Sequence, residues 1–159
     1  MTDALPPAAQ KVQAALRAAG SAAQVVETTE SARTAKEAAA ALGCTVGQIV
    51  KSLVFRGAES GRAYLILASG ANRVDEPRLG RRLGEKLERA DADFVRDHTG
   101  YAIGGVPPIA HAHPSTVILD QALFALDPLW AAGGTPRTVF CTSADELRKL
   151  THGRVVPIG

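Results

Sequence analysis

The chain has 159 residues, 46% hydrophobic and 21% charged, with a formal net charge of +2. Those values fit a single globular domain, residues 1–159, whose core needs no disulfide or metal staple. They exclude a wholly disordered chain, and the small charge excess excludes a strongly basic duplex-binding domain.

From the N-terminus, Met1 to Pro7 reads as a loose end. A helix is expected over Pro7 to Ala19, with Val12, Ala15, Leu16 and Ala19 on one face and Gly20 as its stop. Gln24 to Glu27 suits a short strand. Thr34 and Glu37 have capping-box spacing and open a helix through Leu42, ended by Gly43. Ile49 to Arg56 and Arg62 to Ala68 read as two strands joined by a hairpin loop at Gly57 to Gly61. Asp75 caps a helix through Leu83, with Pro77 near its start and Gly84 after it. A short strand over Lys86 to Ala90 precedes a helix over Ala92 to Thr99, closed by Gly100.

After the glycine- and proline-rich stretch from Gly100 to Pro108, Thr116 to Asp120 reads as a strand and Gln121 to Leu126 as a turn or short helix. Trp130 to Ala132 and Arg137 to Cys141 are strands around a Gly133-Gly134 turn. Ser143 and Glu146 form a second capping box, opening a helix through Leu150, and Arg154 to Ile158 is a last strand. The irregular alternation predicts an α+β fold, a mixed curved sheet with helices packed outside. No secretory leader is expected, and no run reaches the roughly 18–20 apolar residues of a membrane helix. A cytoplasmic location follows as an expectation. Cys44 and Cys141 lie far apart and read as reduced thiols.

Three features stand out chemically. Lys51 sits inside the apolar run Ile49 to Phe55, on the strand face of Ile49, Leu53 and Phe55. A lysine there either extends its ammonium to water or lies on a cleft floor, where it grips a phosphate or a carbonyl oxygen. Gly100 to Pro108 holds adjacent glycines followed by two prolines. Such a loop can aim backbone amides at a developing oxyanion, or it can be only a tight bend. The segment from Arg73 to Arg89 carries Arg73, Arg78, Arg81, Arg82, Lys86 and Arg89 against Asp75, Glu76, Glu85 and Glu88. It reads either as a solvated mixed-charge helix or as a docking face for phosphates through Arg78, Arg81 and Arg82.

Gly133-Gly134 suits a hairpin turn or a second wall of the same pocket, and Asp120 either caps a helix or orients an amide or a lysine. His111 and His113 read as ordinary loop histidines, because a metal would need a third ligand. No nucleophile elbow or Ser-His-Asp spacing is present.

In their order, a lysine in an apolar strand, Thr99-Gly100-Tyr101-Ala102-Ile103-Gly104-Gly105-Val106-Pro107-Pro108, Val117-Ile118-Leu119-Asp120, Ala131-Ala132-Gly133-Gly134 and the Ser143-x-Asp145-Glu146-Leu147 helix resemble the YbaK-like editing-domain family. These are relatives of the editing domain inserted in bacterial prolyl-tRNA synthetases. The likeness runs from about Thr34 to Ile158.

It implies a curved, barrel-like sheet and hydrolysis of the ester joining an amino acid to the 3′ end of tRNA. It implies catalytic roles for Lys51, Gly104 and Gly105. It implies substrate contacts from Ile103, Val106, Pro107, Asp120, Gly133 and Gly134, and needs no cofactor or metal. The implied partner is the acceptor end of an aminoacyl-tRNA, with an aminoacyl-tRNA synthetase as a further partner. Some alanine-clearing members carry a histidine in the region where this chain has Ala131 to Gly134, a difference that looks closer to the cysteine-clearing and other branches. A module of the same fold that binds without hydrolysing is the alternative.

Overall fold

The computed structural model describes residues 5–28 and 34–159. Five helices and eight strands follow in the order α1 (Pro7–Ala18), β1 (Val25–Glu27), α2 (Ala35–Leu42), β2 (Val50–Gly57), β3 (Ala63–Ser69), α3 (Glu76–Leu83), β4 (Leu87–Arg89), α4 (Ala92–Thr99), β5 (Thr116–Asp120), β6 (Leu129–Ala132), β7 (Thr138–Thr142), α5 (Ala144–Thr151) and β8 (Arg154–Val156). Short 3₁₀ turns occupy Val46–Gln48 and Gln121–Ala125. The elements read from the sequence are all present, with ends displaced by one or two residues. Of the expected loose end, Met1 to Ala4 lie outside the described residues.

Local chemistry explains the ends. Thr34, Asp75, Asp91 and Ser143 each accept a hydrogen bond from the backbone N–H three residues on, which satisfies an orphan donor of the first turn. Gly43, Gly84 and Gly100 close α2, α3 and α4 in the left-handed conformation.

The strands form two sheets, ordered β4-β2-β3-β5-β8 and β1-β7-β6. In the larger one β2–β3 and β2–β4 are antiparallel, whereas β3–β5 and β5–β8 are parallel. All seven residues of the central β3 are buried. Leu65 and Leu67 face a core shared with α1, α5 and the smaller sheet, around Val12, Leu16, Phe140 and Leu147. Tyr64, Ile66 and Ala68 face a second core closed by α3 through Leu79. A strand covered on both faces reads as a continuous apolar run, as this one does.

Among the described residues the sheets meet at one parallel bridge, Ile49 to Trp130. The expected barrel-like closure is therefore only partial: between this bridge and the start of β4 pairing, the edge of β2 is open.

Glu85, just before β4, fastens the β2–β3 hairpin from outside. One carboxylate oxygen accepts from the backbone N–H of Glu59 and of Ser60, at 3.1 and 2.9 Å. The other accepts from the Ser60 hydroxyl at 2.8 Å and the Tyr64 phenol at 2.7 Å. A side chain at Gly57 would collide with that carboxylate. The Tyr64 hydroxyl first, and then the Ser60 donors, hold the Glu85 pKa down at about 2, from an ordinary 4.5. A folded pKa below the unfolded one means that this stabilisation is complete above pH 4.5 and is lost as pH falls toward 2. Glu85→Gln is expected to lower Tm at pH 7 and to shrink the further drop in Tm between pH 5 and pH 3. Thermal unfolding across that range checks it, and an unchanged acid slope would refute it.

Candidate functional site

The opening in the sheet follows from hydrogen-bond alternation along β2. Gly57 N–H bonds to Arg62 and Gly70 N–H bonds to Ile49, so the odd-numbered residues of β2 direct their peptide groups to β3. The even-numbered ones point the other way. Ala58 N–H reaches Lys86 O, and Val54 O accepts from Ala90 N–H. Beyond Val54 the chain opposite turns into α4, so the amide and carbonyl of Ser52 face the opening. The Ile103–Val106 loop lies across it.

Two hollows flank this edge. One, of about 550 Å³, is walled by Ile49, Leu53, Trp130, Ala131 and Val139, with Ala35 and Ala38 of α2, and includes Lys51, Ile103, Gly104 and Val106. The other, of about 600 Å³, shares Lys51, Ser52, Leu53, Ile103 and Val106, and adds Arg73, Val74, Glu76, Arg89 and Val95. Both volumes suit small-molecule sites. Ile103 stands at their junction and is 61% exposed, unusual for a large apolar side chain.

Lys51 projects from the open edge, and its ammonium donates to the carbonyl of Asn72 at 2.5 Å. Asn72 is itself held: its side-chain amide donates to Asp120 at 3.0 Å. Asp120 is 2% exposed and also accepts from the backbone N–H of Ser69 and of Ala122, both at 3.0 Å. The aspartate thus fixes the 69–72 turn on which the ammonium rests. Burial first, and then the charge of Arg73, push the Lys51 pKa down, while Asp120 opposes them.

The glycine loop is a tight turn with a fixed back. Gly105 N–H donates to Ala102 O at 3.0 Å, and Gly104 has φ of +95°, a left-handed value that suits the third position of a type II turn. The Thr99 hydroxyl accepts from Tyr101 N–H, the buried Tyr101 phenol donates to Ala110 O at 2.9 Å, and Lys11 of α1 lies over the Tyr101 ring. His111 Nε2 lies 2.6 Å from Pro107 O. A carbonyl only accepts, so that nitrogen carries the proton.

The structure therefore sorts the residues expected from sequence. Lys51, Ile103, Gly104 and Val106 share one cavity. The others lie outside the residues that line it. Gly105 spends its amide inside the turn and is buried, because a Cβ there would come within 2.7 Å of Thr135 Cα. Gly133 and Gly134 are buried too; Gly134 is part of the surface that receives Gly105, and a Cβ on it would meet Ala8 O at 2.8 Å. Pro107 is buried and lines neither hollow. Asp120 lies behind Lys51 rather than in the cavity.

Arg78, Arg81 and Arg82 are exposed on α3 and line neither hollow. Trp130 and the start of α2 were missed as cavity walls. The one tryptophan of the chain, inside a short strand, was the available signal. His98 and His113 pack ring to ring at 5.6 Å, and among the described residues no group of three or more His, Cys, Asp or Glu could hold a metal ion.

Two outcomes follow from this packing. Gly105→Ala forces the two glycine loops apart and is expected to cost about 1–3 kcal/mol of stability, measured by denaturant unfolding. For His111, burial first, then the charges of His98 and Lys11, push the pKa below its ordinary 6.5, against the Pro107 hydrogen bond. Its contribution is complete above pH 6.5 and is lost as pH falls through the depressed value. His111→Gln retains an N–H donor without titrating, so its Tm should fall less than the parent's between pH 7.5 and pH 5.5. An equal fall would dismiss this account.

Residues 29–150 match the family model described as the aminoacyl-tRNA editing domain. The chain is 31% identical over 131 residues to the uncharacterized protein YwhH of Bacillus subtilis (strain 168), covering 82% of this chain and 83% of that one. It is 32% identical over 99 residues to the proline–tRNA ligase of Limosilactobacillus fermentum, 60% of this chain but only 17% of the ligase. Among solved structures it superposes with TM-score 0.92 and 49% identity, over 98% of both chains, on a candidate trans-editing enzyme for prolyl-tRNA synthetase. The match spans both glycine loops and the Lys51 strand, and the chain belongs to the aminoacyl-tRNA editing domain family.

Proposed function

We propose that the protein is a free-standing deacylase that cleaves the ester of mischarged aminoacyl-tRNA, acting in trans. The observation that carries this reading is that the Lys51 ammonium and the exposed Gly104 turn line one cavity beside the open edge of β2. The family membership and the likeness to a candidate trans-editing enzyme support it.

In this reading the aminoacyl group enters the Trp130 cavity. The apolar walls suit a small uncharged side chain, and the polar groups at the mouth, Lys51 and the Gly104 backbone, hold the ester. A water oxygen attacks the carbonyl carbon, and the bond from that carbon to the ribose oxygen breaks. The amino acid leaves with the water's hydroxyl, and the ribose oxygen takes the proton. Among the described residues lining this cavity none is a carboxylate or an imidazole. The substrate's own vicinal ribose hydroxyl is therefore the proposed proton carrier, and the protein supplies orientation and charge. Gly104 remains the proposed amide donor of the glycine pair, with Ile103 and Val106 against the substrate.

Asp120 and the loop of Gly105, Pro107, Gly133 and Gly134 act as supports. Arg78, Arg81 and Arg82, exposed on α3, are proposed outer contacts for acceptor-stem phosphates. An editing activity is useful because a methylene difference yields only about 1–3 kcal/mol of discrimination at a synthetase's own site. tRNA(Pro) mischarged with cysteine, alanine or 2-aminobutyrate is the proposed substrate set, with the synthetase as a partner.

Lys51→Ala should reduce release of amino acid from such tRNAs at least 100-fold, in line with the loss of one oriented charge or donor at a developing oxyanion. Acid-precipitable label on the tRNA reports it. Retention of mischarged tRNA without turnover by the parent protein would favour a binding module instead, and an unimpaired Lys51→Ala protein would remove the mechanism.

A further inference from the structure

The segment between α4 and β5 carries the exposed Ile103–Gly104 tip, and what braces it lies away from the cavity. Pro107 and Pro108 have no N–H, so this stretch cannot be held by a regular backbone ladder. Instead the far end of the segment returns to its near end. Ala112 N–H donates to Thr99 O at 2.9 Å, and His113 N–H to His98 O at 3.0 Å. The Tyr101 phenol reaches Ala110 O, and Ala110 takes a φ of +67°, a left-handed value that persists only where the surroundings enforce it. The next side chain, His111, turns back under the loop and donates from Nε2 to Pro107 O at 2.6 Å.

The titratable groups that face this imidazole are Lys11 of α1, His98 of α4 and the Tyr101 phenol of the loop itself. Lys11 lies over the Tyr101 ring at 5.2 Å, and His113 packs on His98 at 5.6 Å. None of these supplies a negative charge near neutral pH. A protonated His111 would be a half-buried cation beside an ammonium. Burial first, with the charges of His98 and Lys11, outweighs the hydrogen bond to Pro107, so the clamped ring holds an added proton more weakly than a ring freed to water. By linkage, acid shifts the ring toward the freed arrangement.

We infer that His111 is a proton-sensitive positioning residue for the editing loop: neutral, it ties Pro107 and holds the Ile103–Gly104 tip over the cavity, and protonated, it lets the tip go. The inference rests on the editing reading above and gives the reaction an acid limit set outside the cavity. His111 lines neither hollow and takes no part in bond breaking. It acts through Pro107 on the loop that carries Gly104, which separates its role from that of an acid or base at the reacting carbon.

The test follows the loop and the rate separately. In the isotope-labelled full chain without tRNA, the Gly104 amide resonance should move together with the His111 ring resonances between pH 7.5 and pH 5.5. In His111→Gln, which keeps an N–H donor and does not titrate, the Gly104 resonance should stay flat. In deacylation of tRNA(Pro) mischarged with alanine, kcat of the parent should fall about threefold or more over the same range, and that of His111→Gln should fall less. The amino group of the substrate titrates in both assays alike, so the difference belongs to His111. At pH 7.5, His111→Ala should lose about tenfold in kcat with KM within about twofold, and His111→Gln should recover most of that loss. If His111→Ala does not fold, the parent and His111→Gln carry the test.

The proposal is overturned if the parent kcat is flat across this range, if His111→Gln keeps the parent's acid limb, or if a folded His111→Ala is as fast as the parent. It is equally overturned if the Gly104 resonance ignores His111 in the parent or titrates alike in both proteins. Because the resonance needs no substrate, the two readings fail separately. Coupling of Gly104 to His111 in a protein that releases no amino acid leaves the clamp and removes the deacylase. Turnover with an acid limb that His111→Gln shares does the reverse.

Discussion

The architecture depends on one strand that is paired at both ends and open in the middle. β2 is held by β3 along its whole length, by β4 from Phe55 onward, and through Ile49 by β6. Between these, the outward peptide group of Ser52 has no neighbouring strand among the described residues. In a closed barrel the same edge would be consumed by ladder hydrogen bonds and no backbone would be left to meet a ligand. Here the edge is covered by a loop, and the space beneath that loop is the site. The sheet's failure to close is what makes room for the two hollows.

Keeping such a site in register requires the covering loop to be stiff. Glycine at 105 lets the turn press against Gly134 and Thr135, and glycine at 134 lets that second loop press against α1. The two loops locate each other by backbone contact, where no side-chain rotamer can slip. Thr99, Tyr101 and His111 then bind the loop's main chain from behind. The exposed Gly104 turn and Ile103 are thus the free tip of a well-anchored structure, as a site that relies on preorganised dipoles requires.

The same economy governs the lysine. A half-buried ammonium is tolerated when it has a hydrogen-bond acceptor and a carboxylate lies near enough to feel. Asp120 does this at one remove, through Asn72, so the ammonium stays available on its cavity side. A direct Lys–Asp pair would have stabilised the charge more and left less of it for a ligand. Arg73 presses in the opposite sense.

The sequence by itself determined the local elements. Thr34, Asp75 and Ser143 set helix starts, Gly43, Gly84 and Gly100 set helix stops, and the alternation along 49–56 set β2, because each of these is a short-range effect of caps, φ and pleat. Lys51 and the glycine loop were legible as anomalies for the same reason: a charge in an apolar run and paired glycines are visible without coordinates.

What each glycine does was not legible. Gly104 and Gly105 are identical in sequence terms, yet one faces the cavity and the other is jammed against Thr135. Only the approach of β6 and β7 decides which. Asp120 could be read as a contact or a support, and its three N–H partners come from two segments about 50 residues apart. Trp130 and Arg73 became parts of the site only when β6 bridged Ile49 and the 69–72 turn folded beside Lys51. Pairing between distant strands is a tertiary choice, made by burial of both faces of β3, and no local pattern in the chain encodes where its open edge will fall.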